Sequence, residues 1–358
     1  MTAYRRVDLT ASRAGAAGRT GAAGYAGLLL GLTAALVLST GVAVTIGPAD
    51  LSLATVWSVI GDHLGLVHSD VPLLRDHIVW QLRLPRVLTA AVVGAGLAAV
   101  GAVTQTLTRN PLADPYLLGI SSGASLGAVL VVVAGFGAGL WAVSTGAFVG
   151  ALGAFALVLV VASQRVRLAP TRMILAGVAI GQLCAAVTSF VIIWQADPHA
   201  TQEITFWLSG SLARSAWTPL AYGCFALAVT MLLFLWHART LNAFAFGEDA
   251  AASLGVDVTR VRWLLLVCAA LLTGTLVGIS GAIGFVGLIL PHAVRFFTGP
   301  DHRRLLPVSV LVGAVFLIWV DTVARTLFEP RELPVGVLTA LLGVPAFVVL
   351  MRRREVRG

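Results

Sequence analysis

The feature that most constrains this chain is a succession of apolar runs, ten in all, separated by short segments that hold almost all of the charge. A helix needs roughly 20 mainly apolar residues to cross a bilayer, and fewer when it is packed inside protein. The runs are continuous rather than alternating, which predicts helices and not barrel strands. They fall at about Gly24–Ile46, Val87–Leu107, Tyr116–Gly137, Leu140–Ala162, Met173–Trp194, Pro219–His237, Trp263–Ile279, Ile283–Phe297, Leu305–Thr322 and Pro334–Met351. The expected fold is therefore an all-α polytopic membrane protein with about ten transmembrane helices. The eighth run is short and nearly continuous with the seventh, so that pair is the least distinct.

Organisation follows from the same pattern. Residues 1–23, rich in Ala, Gly and Arg, read as a disordered tail, and residues 24–358 as one transmembrane domain. Arg5-Arg6 faintly echoes a twin-arginine signal, but the first apolar run is too long for a signal peptide and lacks a small-residue cleavage site. The longest segments outside the membrane are Gly47–Arg86, Gln195–Trp217 and Ala238–Arg262. The stretches "GAVTQTLTRNPL" and "GAIGFVGLILPH" begin alike and hint weakly at two related halves.

Charge assigns the sides. The net charge is +8 with 24 basic residues, all of them arginine, because the chain has no lysine. That absence excludes a P-loop, whose lysine reaches nucleotide phosphates, and any lysine Schiff base. A nucleic-acid surface would need arginines clustered on a soluble face, whereas these punctuate apolar runs. With both termini cytoplasmic, the outer segments hold only Arg75, Arg83, Arg86, Arg214, Arg325 and Arg331, and the remaining eighteen arginines fall inside. The positive-inside rule supports that orientation.

Chemistry at depth is sparse. Ionisable groups inside lipid persist only for function or when paired, and of the 16 acidic residues only Asp321 falls within a run, with Arg325 four residues on as its expected partner. His292 is a lone histidine beside Pro291 and reads as a packing residue. Cys184, Cys224 and Cys268 lie in separate apolar runs and read as small core residues. No HExxH motif, paired-carboxylate site or nucleophile elbow is present. Many of the 38 glycines sit inside the runs, where small residues let helices approach closely. The chain has the character of a conduit and not of an enzyme.

Several stretches carry a resemblance. "QLRLPRVLTAAVVGAGLAAVGAVTQTLTRNPLADPYLLGISSGASLGA" (Gln81–Ala128), "TRMILAGVAIG" (Thr171–Gly181), "AFGEDAAASLGV" (Ala245–Val256), "ISGAIGFVGLILPHAVRFFTGPDHRRLLP" (Ile279–Pro307) and "ELPVGVLTALLGVPAFVVLM" (Glu332–Met351) occur in one order. Together they resemble the FecCD family, the permeases of type II ATP-binding-cassette importers for iron siderophores, cobalamin and haem.

That resemblance implies an importer permease of the bacterial inner membrane and a set of partners. These are a second permease, identical or different, two ATPase subunits that hold ATP and Mg, and an extracytoplasmic binding protein. It implies no cofactor in this chain. Ferric siderophore is the first expectation for cargo, with cobalamin or haem as alternatives; an ion-coupled carrier is a weaker one. Arg83, Arg86 and Arg325 match outer arginines that receive the acidic residues of the binding protein, a role that exposed charge suits. Asn110 and Leu112, in "RNPLADP", match a constriction at the inner mouth. Gly247, Glu248, Leu254 and Gly255, in the loop 238–262, match the segment that seats on the ATPase. Pro170 departs from members that carry Ser or Thr of a second gate there, so that gate is not carried over.

Overall fold

The computed structural model describes residues 21–68, 70–135, 140–164, 167–168, 170–194 and 198–355. The amino-terminal tail expected to be disordered lies, up to residue 20, outside the described residues. In chain order the helices are α1 (Ala22–Thr45), α2 (Leu53–His63), α3 (Leu73–His77), α4 (Leu84–Leu107), α5 (Ile120–Val133), α6 (Leu140–Ala162), α7 (Pro170–Trp194) and α8 (Pro198–Leu208). They continue as α9 (Trp217–Trp236), α10 (Ala238–Ala245), α11 (Glu248–Ser253), α12 (Val258–Ser280), α13 (Val286–Thr298), α14 (His302–Thr326) and α15 (Val335–Glu355). A pair of two-residue strands, Ser163–Gln164 and Arg167–Leu168, forms the hairpin between α6 and α7.

Seven helical stretches are long and apolar enough to cross a membrane, and three shorter apolar helices, Ile120–Val133, Val286–Thr298 and Val335–Val349, stand where the other three runs were expected. Three boundaries differ from the sequence expectation. The second span does not begin at Val87. Residues Leu73–Leu107 are helical throughout, with a π-helical turn at Ile78–Arg83. Its 35 residues make roughly 50 Å of helix against a hydrocarbon core of about 30 Å, so Arg83 and Arg86 stand on a helix near its outer part and not in a loop.

The third span starts later and ends sooner than expected, because Asp114 caps a 3-10 turn at Pro115–Leu118 and Gly119 turns left-handed (φ 75°) before α5 begins. The seventh and eighth runs separate at Gly281–Phe285, which is not helical. With 13 residues, or about 20 Å, α13 is too short to cross alone. Irregular backbone inside a bilayer is tolerated only when protein satisfies it. Here the Ile283 N–H donates to Tyr116 Oη (2.7 Å), and Ser211 N donates to the Ser280 carbonyl (2.8 Å) at the loop after α8. The two stretches that hinted at related halves thus differ locally, one being helical and the other broken.

Helix α4 is the centre of the bundle. Within its apolar window 83% of residues are buried, against 22% for α1 and α7, whose outward faces remain for lipid or partners. It packs on α14, α13, α12 and α9. The α4–α13 crossing is a backbone contact, since a Cβ placed on Gly101 would lie 2.0 Å from the Gly287 carbonyl oxygen. Without water to drive helices together, such close approach and its van der Waals contact hold the pair.

A sharp contrast follows for two helical glycines. Gly101→Ala is expected to force α4 off α13 and destabilise the protein by about 1–3 kcal/mol or more, lowering the yield of folded protein and its melting temperature. Gly153→Ala, where an added Cβ meets nothing within 4 Å, should be neutral or stabilising by up to about 1 kcal/mol. Equal melting temperatures for the two variants would contradict the assigned crossing.

The cysteines only partly follow expectation: Cys184 and Cys268 are buried, whereas Cys224 is exposed on α9. His292 stands edge-on to Phe296 at 5.4 Å, a packing contact.

Candidate functional site

The sequence-derived candidates fall at two places, a cluster of arginines at the start of α4 and a group around its end, labelled outer and inner after the orientation expected from the charge pattern.

At the outer cluster the structure corrects the expectation of exposed charge. Arg83 is buried and donates from Nη1 to the carbonyls of Val44 (2.9 Å) and Thr45 (3.0 Å), and from Nη2 to that of Ala49 (2.9 Å). Arg325, also buried, donates from Nη2 to the Ala43 carbonyl. The last carbonyls of a helix have no partner within it, and the negative end of the helix dipole favours a cation. Both arginines therefore close the outer end of α1. Sequence could not show this, because the acceptors are backbone atoms of a distant helix.

Arg86 is held differently. Its Nε and Nη2 donate to the Asp321 carboxylate at 3.0–3.1 Å, and Nη1 donates to Glu332 at 2.9 Å. Asp321 is 1% exposed and Glu332 38%. The expected Asp321–Arg325 pair exists at 4.0 Å, at the limit of an ion pair, and Arg86 is the stronger partner. A bidentate guanidinium–carboxylate pair fixes geometry as well as charge. Of the three arginines, only Arg86 reaches a partly exposed carboxylate.

At the inner end, α4 stops in a tight turn. Arg109 takes a left-handed conformation (φ 49°), and Asn110 Oδ1 accepts from the Leu112 N–H (2.9 Å), the local turn that Asn side chains favour. Leu112 is 42% exposed and projects from this turn. Two residues on, Asp114 Oδ1 accepts from the Tyr116 N–H (2.9 Å). Burial pushes the Asp114 carboxyl up to about 6, partly offset by that N–H.

The segment 238–262 contains two short helices, α10 and α11, before α12 begins. Gly247 joins them at φ 114°, a conformation open to glycine and strained for other residues. A Cβ added there would lie 3.5 Å from Arg109 Nη1, which places the Arg109 guanidinium near Gly247. Glu248 Oε1 accepts from Arg262 Nη2 at 2.6 Å, and Arg262, buried at the start of α12, stacks its guanidinium over Phe244 at 5.5 Å. Phe246 and Leu254 are 85% and 73% exposed and flank this pair in sequence. Gly255 turns left-handed (φ 79°) after α11.

A second link was not anticipated. Asn242 of α10 donates from Nδ2 to Asp301 (2.7 Å), and its Oδ1 accepts from both the backbone N–H (2.9 Å) and Nδ1 (2.7 Å) of His302. On the other side of the ring, His302 Nε2 lies 2.7 Å from Thr106 Oγ1, near the end of α4. Gln105 joins α4 to α13 by donating to the carbonyls of Gly287 (3.1 Å) and Leu288 (3.0 Å) and accepting from Arg295 Nη1 (2.8 Å). The only signal in the sequence was a polar pair, Asp301-His302, at the start of an apolar run. The structure thus joins α10, the start of α14 and the end of α4 through Asn242, His302 and Thr106, with the arginine cluster at the opposite end of α4.

Comparison with known proteins agrees with this geometry. The model of the FecCD transport family matches residues 33–353. The chain is 45% identical over 298 residues to a cobalamin import system permease of Halobacterium salinarum, covering 80% of this chain and 77% of that one. It is 43% identical over 287 residues to a hemin transport system permease of Yersinia pestis, covering 79% and 85%. A solved chain described as an inward-facing, metal-chelate type ABC transporter superposes with a TM-score of 0.81 at 34% identity, covering 92% of this chain and all of that one. These relatives are permease subunits whose ATPase is a separate chain, and this multi-pass membrane protein belongs with them to the FecCD transport family, as a permease of an ATP-binding-cassette importer.

Proposed function

We propose that this permease carries a ferric siderophore inward across the cytoplasmic membrane, with both termini cytoplasmic and a second permease copy or homologue completing the pathway. ATP and Mg act on two separate ATPase subunits. The observation that carries the mechanism is the nearness of Arg109, beside Asn110 and Leu112, to Gly247: a Cβ added at Gly247 would lie 3.5 Å from Arg109 Nη1. Exposed Phe246 and Leu254 form the apolar face that an ATPase would cover, and Gly247, Glu248 and Gly255 set the shape of the loop behind it. Movement of α10–α11 would then shift Asn110 and Leu112 at the inner mouth without an intermediary.

On the outer side, the binding protein docks where Arg86 meets Glu332. Arg83 and Arg325 serve that surface by fixing the end of α1 beneath it. Cobalamin or haem import is the second reading, favoured by the names of the two relatives above.

The test is reconstitution of the permease with its ATPase and binding protein in lipid vesicles. ATP-dependent accumulation of a radiolabelled ferric siderophore is expected. Uptake that persists without ATP hydrolysis, or that collapses with an uncoupler at constant ATP, would exclude an ATP-driven importer. Uptake of cobalamin or haem alone would move the cargo to the second reading.

A further inference from the structure

Helix α2 lies between α1 and α3 and is too short to cross a bilayer, yet it leaves large apolar side chains uncovered. Its sequence, "LATVWSVIGDH", divides into three sectors at about 100° per residue. Val56 and Val59 are buried on the first. Leu53, Trp57 and the C-cap Leu64 fall within about 40° of one another on the second, and they are 47%, 43% and 61% exposed. Ser58 and Asp62 fall about 140° and 180° round from Leu53, on the third. A helix on a soluble surface needs only two sectors, one for the core and one for water. An uncovered apolar sector between them calls for an apolar medium next to water, which is what a membrane boundary supplies.

The level of α2 is set by α1. A Cβ added at Gly41 would lie 3.1 Å from the Trp57 ring, so Trp57 rests on α1 about one turn before that span ends at Thr45. Gly41 is in line with Leu30, Ala34 and Val37, which are exposed on α1 at the spacing of one helix face. The exposed side of a membrane span therefore continues through Trp57 onto α2. Tryptophan is enriched at this level of membrane proteins, where its apolar ring and polar N–H meet acyl chains and headgroups. The far end of α2 is held as well. His63 Nε2 lies 3.0 Å from Asp76 Oδ1, and its ring stacks on Trp80 at 4.1 Å. These contacts oppose any roll that would turn the apolar sector onto the bundle.

We propose that α2 is an interfacial helix lying in the headgroup layer of the lipid bilayer, with Leu53, Trp57 and Leu64 reaching the acyl chains and Asp62 in water. Amphipathic helices of this kind sink about 5–10 Å into the boundary. Arg83, just before α4, also binds the Ala49 carbonyl between α1 and α2. An anchored α2 thereby keeps the end of α1 and the start of α4 at one depth in the membrane. Nothing in this placement depends on the cargo.

Spin labels on the full-length permease in phosphatidylcholine nanodiscs test it. They are attached at Leu53→Cys, Leu64→Cys and Asp62→Cys, each in a Cys224→Ala background, because Cys224 is the exposed one of the three cysteines. Oxygen, which concentrates among acyl chains, should relax the labels at the Leu53 and Leu64 positions several-fold more than a water-soluble nickel chelate does. The order should reverse at the Asp62 position. A second measurement uses the native side chain: lipids brominated near the headgroup should quench Trp57 more than lipids brominated at the chain end, read as the difference between the unaltered chain and Trp57→Phe. Melting temperatures confirm that the variants fold. Equal nickel access at all three positions would put the apolar sector in water, and exclusion of both reagents from the Leu53 and Leu64 positions would put it against protein, such as a second copy of the chain. Either result, or a Trp57 that no brominated lipid quenches, would overturn the proposal.

Discussion

Replacing Asp321 with asparagine is expected to destabilise the folded permease by about 3–5 kcal/mol, the range for removing one partner of a buried ion pair. Asp321 is 1% exposed and faces two guanidinium groups, with Arg86 bound through Nε and Nη2 and Arg325 at 4.0 Å. The amide keeps the shape and removes the charge, leaving Arg86 with Glu332 as its only carboxylate and Arg325 with the Ala43 carbonyl and the Thr322 hydroxyl. Glu332→Gln should cost at most about 1 kcal/mol, because that carboxylate is 38% exposed and solvent screens it. Thermal unfolding of the purified variants in one detergent measures both. A loss below about 1 kcal/mol for Asp321→Asn would show that the buried pair of this structure does not form.

The same geometry changes how docking must be tested. Reversing charge at Arg83 or Arg86 would damage the fold before it reached a partner, since Arg83 closes the end of α1 and Arg86 is locked by two carboxylates. Glu332→Gln leaves the core intact and alters the exposed rim, so it is the cleaner probe of binding-protein affinity and its salt dependence.

How far the sequence carried depended on the range of each interaction. Ten spans were visible because lipid demands long apolar stretches wherever a helix crosses, whatever its neighbours. The turn at Asn110 and Leu112 was equally visible, because an Asn side chain and the two prolines of "NPLADP" act within a few residues. The break at Gly281–Phe285 was not, since its residues are apolar on both sides and the Ile283 N–H is satisfied by Tyr116, 167 residues away. Helix α8 was missed because its 11 residues are too few and too polar for a span. The intramolecular partners of Arg83, Arg86 and Arg325 were hidden for one reason. An arginine beside an apolar run looks the same whether it faces water or closes a helix end, and Arg86 and Asp321 are 235 residues apart.

Cutting the link between α10 and α4 should uncouple the transporter. With Asn242→Ala, cargo moved per ATP is expected to fall roughly tenfold, equivalent to about 1.4 kcal/mol of lost coupling, within the usual 1–3 kcal/mol between linked sites. ATP hydrolysis by the assembled complex should stay within about twofold, because the exposed Phe246 and Leu254 are untouched. Asn242 is the one side chain that holds Asp301 and both polar groups of His302, and His302 meets Thr106 four residues before the gate-turn Asn110. Thr106→Val removes the hydroxyl at the far side of the same ring while nearly preserving shape, so it should act in the same direction. Because the two residues share His302, the double variant should lose less than the two single losses combined. A purely structural role predicts otherwise: melting temperature, hydrolysis and transport would fall together. Full coupling in both variants would leave the nearness of Arg109 to Gly247 as the remaining candidate path, and the hydrogen bonds through His302 would then serve stability alone.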